Sequence, residues 1–215
     1  MIFADPAVAA VFADYEARAA VDRAARPGEL RNGRPITRDD LLLPVGREAA
    51  AFLHALILAR RPRRILELGT SYGYSTLVLA DAARSVGASV VSMDLADYKQ
   101  AHAREQLGRA GLADQVEFRH GDAVALVAAD PGPFDFALLD IWKDAYLPCF
   151  EALYPKLAEA AIIAADNMID PPSSRPSVRA YRAAVRAKGD LQTMLLPVGQ
   201  GIELSIRWSA DNPDL

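Results

Sequence analysis

From Arg63 onward the chain repeats one pattern: a short apolar run, a turn, then a stretch with helical spacing. Strands are expected near 64–68, 89–93, 115–119, 134–139 and 160–165, and helices near 73–85, 97–110, 122–128, 144–157 and 174–188. The runs 136–139 and 160–165 are apolar throughout and read as buried strands. Their alternation with helices implies a parallel sheet covered on both sides, because parallel neighbours need a long crossover. The end of the chain departs from this. Residues 191–198 and 202–208 flank Gly199-Gln200-Gly201 and read as an antiparallel hairpin. Ahead of the repeat, Asp5-Pro6 reads as a helix start, with Val8, Val11, Phe12 and Tyr15 at helical spacing as far as about Arg26. Pro27-Gly28, Asn32-Gly33 and Pro35 mark a loop, and a mostly apolar helix follows over 46–59. No repeat or linker interrupts the 215 residues. The expectation is one α/β domain, with 1–60 a helical N-terminal extension and 61–215 the core.

Two of the expected strands end in acids. Asp140 closes 136–139, and Asp166-Asn167 closes 160–165, 26 positions later. Neighbouring parallel strands set such acids side by side at one rim. Two carboxylates, an amide oxygen and the Lys143 ammonium suit a hard divalent cation and an acid–base step. A magnesium-like ion takes about six oxygens, which leaves about three places for water and an acceptor. The vicinal hydroxyls of a catechol would fill two of them. Coordination lowers the pKa of a bound hydroxyl. Lys143 starts the next helix, and a nearby cation disfavours its protonated form, so it is the expected base. The alternative is that both acids only cap the turns that follow them.

A third string, Glu67-Leu68-Gly69-Thr70-Ser71-Tyr72-Gly73, joins a strand to the helix that opens at Tyr74. Such turns bind nucleotide-like ligands in α/β sheets. Gly69 would let a ligand approach the backbone, and Gly73 would allow tight packing at the helix start. The Gly-x-x-x-Gly spacing lacks the dinucleotide fingerprint, and no Walker lysine follows. That disfavours nicotinamide chemistry and a pyrophosphate grip. Asp94 ends the next strand, where an acid can accept both hydroxyls of a ribose, and Asp122 follows the third, where it could meet an adenine amino group.

The net charge of -4 argues against a nucleic-acid partner, which needs a basic face. The apolar runs are too short to span a membrane. The first residues carry Asp5 and Asp14 and no basic start, unlike a secretory leader. The single cysteine, Cys149, excludes an internal disulfide and fits a reducing, cytoplasmic setting.

These residues resemble the small metal-dependent O-methyltransferases of the catechol and caffeoyl-CoA type, class I enzymes that use S-adenosylmethionine. The resemblance covers about 43–207. It rests on Leu139-Asp-Ile-Trp-Lys-Asp-Ala-Tyr-Leu-Pro148, on Asp166-Asn167, and on Glu67-Leu-Gly-x-x-x-Gly-Tyr-Ser75. Trp142-Lys143 leans toward the catechol branch. Leu196-Pro-Val-Gly-Gln-Gly-Ile-Glu-Leu-Ser205 looks like the bacterial relatives of the caffeoyl-CoA group. The resemblance implies a Rossmann-like fold: a seven-stranded, mostly parallel sheet with an antiparallel C-terminal hairpin and helices on both faces. It implies that Asp140, Asp166 and Asn167 hold Mg2+, or Mn2+ or Ca2+, with Lys143 as the base. Val45, Glu67, Gly69, Gly73, Tyr74 and Ser75 would hold the amino-acid end of the donor and Asp94 its ribose. Leu95, Asp122, Ala123 and Trp142 would surround the adenine. The implied acceptor is a small hydroxylated aromatic molecule.

Two positions depart from the catechol enzymes. Leu43 stands where they have a methionine near the sulfonium. Met194 replaces a glutamate that holds the hydroxyl left unmethylated. Rival readings are a tRNA hydroxyuridine O-methyltransferase and a non-catalytic S-adenosylmethionine-binding regulator. Relatives include monomers and homodimers, and the sequence leaves that choice open.

Overall fold

The computed structural model describes residues 3–25, 29–31 and 33–208; the readings made at Arg26, Pro27, Gly28 and Asn32 lie outside the described residues. In chain order the elements are α1 (Pro6–Ala24), β1 (Leu30–Arg31), β2 (Arg34–Pro35), α2 (Arg47–Arg60), β3 (Arg64–Leu68), α3 (Tyr74–Val86), β4 (Ser89–Asp94) and α4 (Asp97–Arg109). They continue with β5 (Val116–His120), α5 (Ala123–Ala129), β6 (Phe134–Leu139), α6 (Tyr146–Leu153), β7 (Leu157–Ala165), α7 (Arg175–Ala187), β8 (Leu191–Leu196) and β9 (Ile202–Arg207). Asp5 caps α1 by accepting from the Ala7 N–H at 2.9 Å, with Pro6 opening the helix as its position predicts.

The main sheet has seven strands in the order β5-β4-β3-β6-β7-β9-β8. The first five pair in parallel, while β9 runs antiparallel to both β7 and β8. From β3 the chain builds outward to β4 and β5, then returns to start β6 on the other side of β3. The reversal falls at the carboxyl ends of β3 and β6, the place where open α/β sheets bind ligands. Side chains alternate between faces. Ile65, Phe136, Leu138, Ile162 and Ala164 pack with α1, α2 and α3; Leu66, Leu68, Ala137, Leu139, Ile163 and Ala165 pack with α5, α6 and α7. Among the described residues no helix is long and apolar enough to cross a membrane.

Local chemistry explains where the elements differ from the sequence reading. The helix expected over 144–157 is a 3-10 turn at Lys143–Ala145, then α6, then a 3-10 turn at Tyr154–Lys156. Pro155 brings no N–H to continue the α-helical ladder. Strand β7 starts at Leu157 rather than at 160, and Ala160 sits at a φ of 55°, where the β6–β7 register shifts. Within the stretch expected as loop, β1 and β2 pair as a two-residue ribbon.

Candidate active site

Backbone hydrogen bonds set the strand ends in a stepped row. The Gly69 N–H donates to the Met93 carbonyl at 2.9 Å, Asp140 N–H to Leu68 at 2.9 Å, and Asp166 N–H to Leu139 at 3.0 Å. The glycine turn, Asp140 and Asp166 therefore stand next to one another across β3, β6 and β7. Gly69 sits at a φ of 102°, and a Cβ there would run into the Asp140 carbonyl oxygen and come within 2.8 Å of its carbon. What approaches the Gly69 backbone is thus the end of β6, so one glycine holds the turn and the acidic rim in contact. Gly73 plays the packing role its position predicts: a Cβ would meet the Ala103 Cβ at 2.7 Å and the Tyr15 hydroxyl at 2.8 Å. Helix α1 thereby backs the turn, with Tyr15 donating to the Tyr72 carbonyl at 2.6 Å.

At the rim, Asp166 is 1% exposed, and neither of its carboxylate oxygens has a hydrogen-bond partner among the described residues. Burial first, and the Asp140 charge second, push its pKa above the usual carboxylate range. Burial raises Asp140 too, opposed by Lys143. The Lys143 Nζ lies 3.7 Å from the Asp140 carboxylate. It donates to the Ile141 carbonyl at 3.1 Å and to the Tyr146 hydroxyl. Burial holds the Lys143 pKa below its ordinary 10.5; Asp140 and Asp166 oppose this, while Arg38 adds to it. Asn167 is held at a φ of 57°, its Nδ2 donating to Gln200 at 2.9 Å, so its amide oxygen is the acceptor left to a ligand. No third carboxylate, histidine or cysteine joins Asp140 and Asp166 among the described residues. Two carboxylates, one of them buried without a side-chain hydrogen bond, beside an amide oxygen fit a hard divalent cation.

On the donor side, the structure brings Gly69, Gly73, Asp94, Leu95, Asp122, Ala123 and Trp142 to the same sheet edge. Asp94 accepts from the Ser71 N–H at 2.7 Å and the Ala96 N–H at 2.8 Å, and Asp122 caps α5 through the Ala125 N–H at 2.9 Å. Leu95 and Trp142 are 66% and 60% exposed, on either side of the glycine turn. Large apolar side chains left bare at a ligand crevice are candidate stacking walls. Val45, just ahead of α2, is buried, and its carbonyl lies 3.3 Å from where a Gly199 Cβ would sit.

Two of the residues that the resemblance places at the donor are buried. The Glu67 and Tyr74 side chains are 0% and 3% exposed. Glu67 accepts from Ser75 at 2.6 Å, Thr76 at 2.6 Å and Ser92 at 2.5 Å, so it pins the turn from beneath. Burial pushes its pKa up to about 7. Tyr74 donates to Glu16 on α1 at 2.5 Å. Ser75 is buried and committed to Glu67. Tyr74 and Ser75 also present backbone N–H groups in the first turn of α3.

Sequence reasoning missed Tyr146. Its hydroxyl donates to the Leu139 carbonyl at 2.8 Å and lies 3.1 Å from that of Asp166, while it accepts from Lys143. It locks the lysine to both strand ends. Its position three residues after Lys143, within the quoted 139–148 string, was the available signal. On the acceptor side, Met194 is 40% exposed and brings no carboxylate. Glu203 on β9 does not replace one: it is 0% exposed, accepts from Thr193 at 2.8 Å and pairs with Arg182 at 2.9 Å.

A sheet in this order, with a glycine turn and an acidic rim at its reversal point, defines the Rossmann-like methyltransferase class. The chain belongs to the O-methyltransferase family, whose sequence model matches residues 30–208. It is 33% identical over 141 residues to a catechol O-methyltransferase of Niastella koreensis, covering 61% of this chain and 63% of that one. It is 28% identical over 188 residues to caffeoyl-CoA O-methyltransferase 1 of Eucalyptus globulus, covering 78% and 76%. In fold it is similar to an O-methyltransferase from Bacillus cereus solved in complex with SAH, with a TM-score of 0.72 at 23% identity over 92% of this chain and 90% of that one.

Proposed function

We propose that this protein transfers a methyl group from S-adenosylmethionine to one hydroxyl of a small aromatic vicinal diol, with a divalent cation, magnesium in the first instance, held by Asp140, Asp166 and Asn167. The reading covers the whole chain as one methyltransferase domain, acting in the reducing cytoplasm that a lone buried Cys149 suits. The observation that carries it is Asp166. A buried carboxylate with no partner is costly, and a cation shared with Asp140 removes that cost. Bound there, the cation would supply the positive charge that acidifies a coordinated hydroxyl.

Lys143 takes the hydroxyl proton. Tyr146 and the Ile141 carbonyl hold its Nζ in one place, and burial favours the neutral amine that a base requires. The Gly69–Gly73 turn, the backbone of Val45 and the first turn of α3 hold the amino-acid end of the donor. Asp94 takes the ribose hydroxyls, Asp122 and Ala123 border the adenine, and Leu95 and Trp142 wall it. The donor brings a methyl group on a cationic sulfonium, so attack by an oxyanion neutralises charge. Fixing both partners at adjoining strand ends supplies alignment. With Met194 in place of a carboxylate, mixed methylation of the two hydroxyls is expected.

The acceptor class is tested by labelled methyl transfer to catechol, resorcinol and phenol. Catechol should be methylated at least about a hundredfold faster than the others, since only vicinal hydroxyls chelate one ion. Equal rates on phenol would remove the chelation argument. Transfer to a hydroxyuridine-containing tRNA alone would move the acceptor to nucleic acid.

A further inference from the structure

Residues Thr37–Leu42 cross above the crevice between the ends of β4, β3 and β6, and their two ends are built differently. The Asp40 end is a firm anchor. Its carboxylate accepts from the Thr37 N–H at 2.9 Å and hydroxyl at 2.7 Å and from Arg34, and its carbonyl accepts from Arg18 at 3.1 Å. Two residues on, the Leu42 N–H donates to the buried Asp22 carboxylate at 2.9 Å. The other contacts lie over the site. The Asp39 carboxylate accepts from Lys99 at 2.6 Å and from the Tyr98 hydroxyl, both in the first turn of α4, just past Asp94 and Leu95. The Asp39 carbonyl accepts from Tyr72 of the glycine turn at 3.2 Å. The Arg38 guanidinium lies over the Trp142 ring, 5.1 Å from its centre. This short strap thus touches the loops after β4, β3 and β6, the three that hold the donor in the proposed function.

We propose that this strap is a latch over the methyl donor, closed by Asp39 on Lys99 and Tyr98 and by Arg38 on Trp142, and that donor and demethylated product exchange only when it opens. The inference rests on the donor assignment of the proposed function and adds residues to it. Its chemistry suits a repeated motion. The Asp39 side chain is 63% exposed, so its ion pair with Lys99 is screened by water and breaks easily. The anchor at Asp40 and Leu42 stays made while the latch releases. Two positive-φ positions follow it, Leu43 at 47° and Gly46 at 86°, ahead of α2. Asp39 and Lys99 are positioning residues: they set how long the donor stays, and neither handles the transferred methyl group.

The test is the dissociation rate of S-adenosylhomocysteine from the full-length protein, followed by stopped-flow fluorescence in a Trp208→Phe background that leaves Trp142 as the sole tryptophan. Asp39→Ala and Lys99→Ala should each speed release about five- to tenfold. The double variant should be no faster than the quicker single one, because both remove the same contact. Asp39→Asn, which keeps a partner for Tyr98 but loses the charge, should fall between. Release within twofold of the parent in both single variants, or effects that simply multiply, would overturn the latch while leaving the donor assignment intact. No binding of S-adenosylhomocysteine to the parent, checked by calorimetry, would overturn the donor assignment and the latch with it.

Discussion

Lys143→Ala should lower methyl transfer to catechol about 10²- to 10⁴-fold, the usual contribution of a positioned general base. Magnesium affinity, measured by calorimetry, should change little, because Lys143 supplies no oxygen ligand. The pH profile carries a second signature. A lysine acts as a base only when neutral, so in the parent the rate should rise with pH through the Lys143 pKa and then level. Burial places that pKa below the ordinary 10.5, which brings the rise toward working pH. In Lys143→Ala the levelling should vanish and the rate should climb with hydroxide. Lys143→Arg separates proton transfer from charge. It keeps a cation beside Asp140 but cannot give up a proton, so it should be nearly as slow as the alanine variant. Turnover near that of the parent in either variant would remove Lys143 as the base.

Gly69→Ala should damage both halves of the site at once. The new methyl group would collide with the backbone of Asp140 and lie 3.2 Å from the Ile141 side chain, at a φ of 102° that alanine adopts only under strain. Backbone atoms at the ends of two paired central strands cannot swing aside as a flexible side chain can. Strain and overpacking together should cost about 3 kcal/mol. For a chain of this size that is a fall in Tm of roughly 6–12 °C. The distinguishing result is functional. Affinities for magnesium and for S-adenosylhomocysteine should fall together, because the collision separates the donor turn from the strand that carries Asp140. Loss of only one of them would mean that the two halves are held independently.

Much of this architecture is legible in the sequence because its signals are local. Continuous apolar runs at 136–139 and 160–165 mark β6 and the end of β7, and Asp140 and Asp166, which follow them, mark the strand ends. Parallel pairing then brings Asp140 beside Asp166 without further information. What escapes is whatever depends on neighbours remote in sequence. The family resemblance implies that Glu67 lies at the donor, but its own partners cannot be read from it. Only the fold shows Ser92, on the adjacent strand, and Ser75 and Thr76, on the following helix, closing over it. Tyr74 likewise gives its hydroxyl to Glu16, 58 residues earlier in the chain. Gly69 shows the same limit in a milder form. Its need for glycine is plain from the turn, but the atom that enforces it belongs to Asp140, on a strand reached through two intervening βα units. The strap at 37–42 is the extreme case. Its polar composition reads as loop, and its meaning comes from Lys99 and Trp142, which lie on different elements.

The central claim is that Asp140, Asp166 and Asn167 form a metal-bound rim that activates a hydroxyl. Methyl transfer to catechol, measured while magnesium is titrated into chelator-treated protein, tests it most directly. The rate should fall to background in excess chelator and return saturably with magnesium, and Asp166→Ala should abolish that return. Undiminished transfer in the presence of the chelator would contradict the claim.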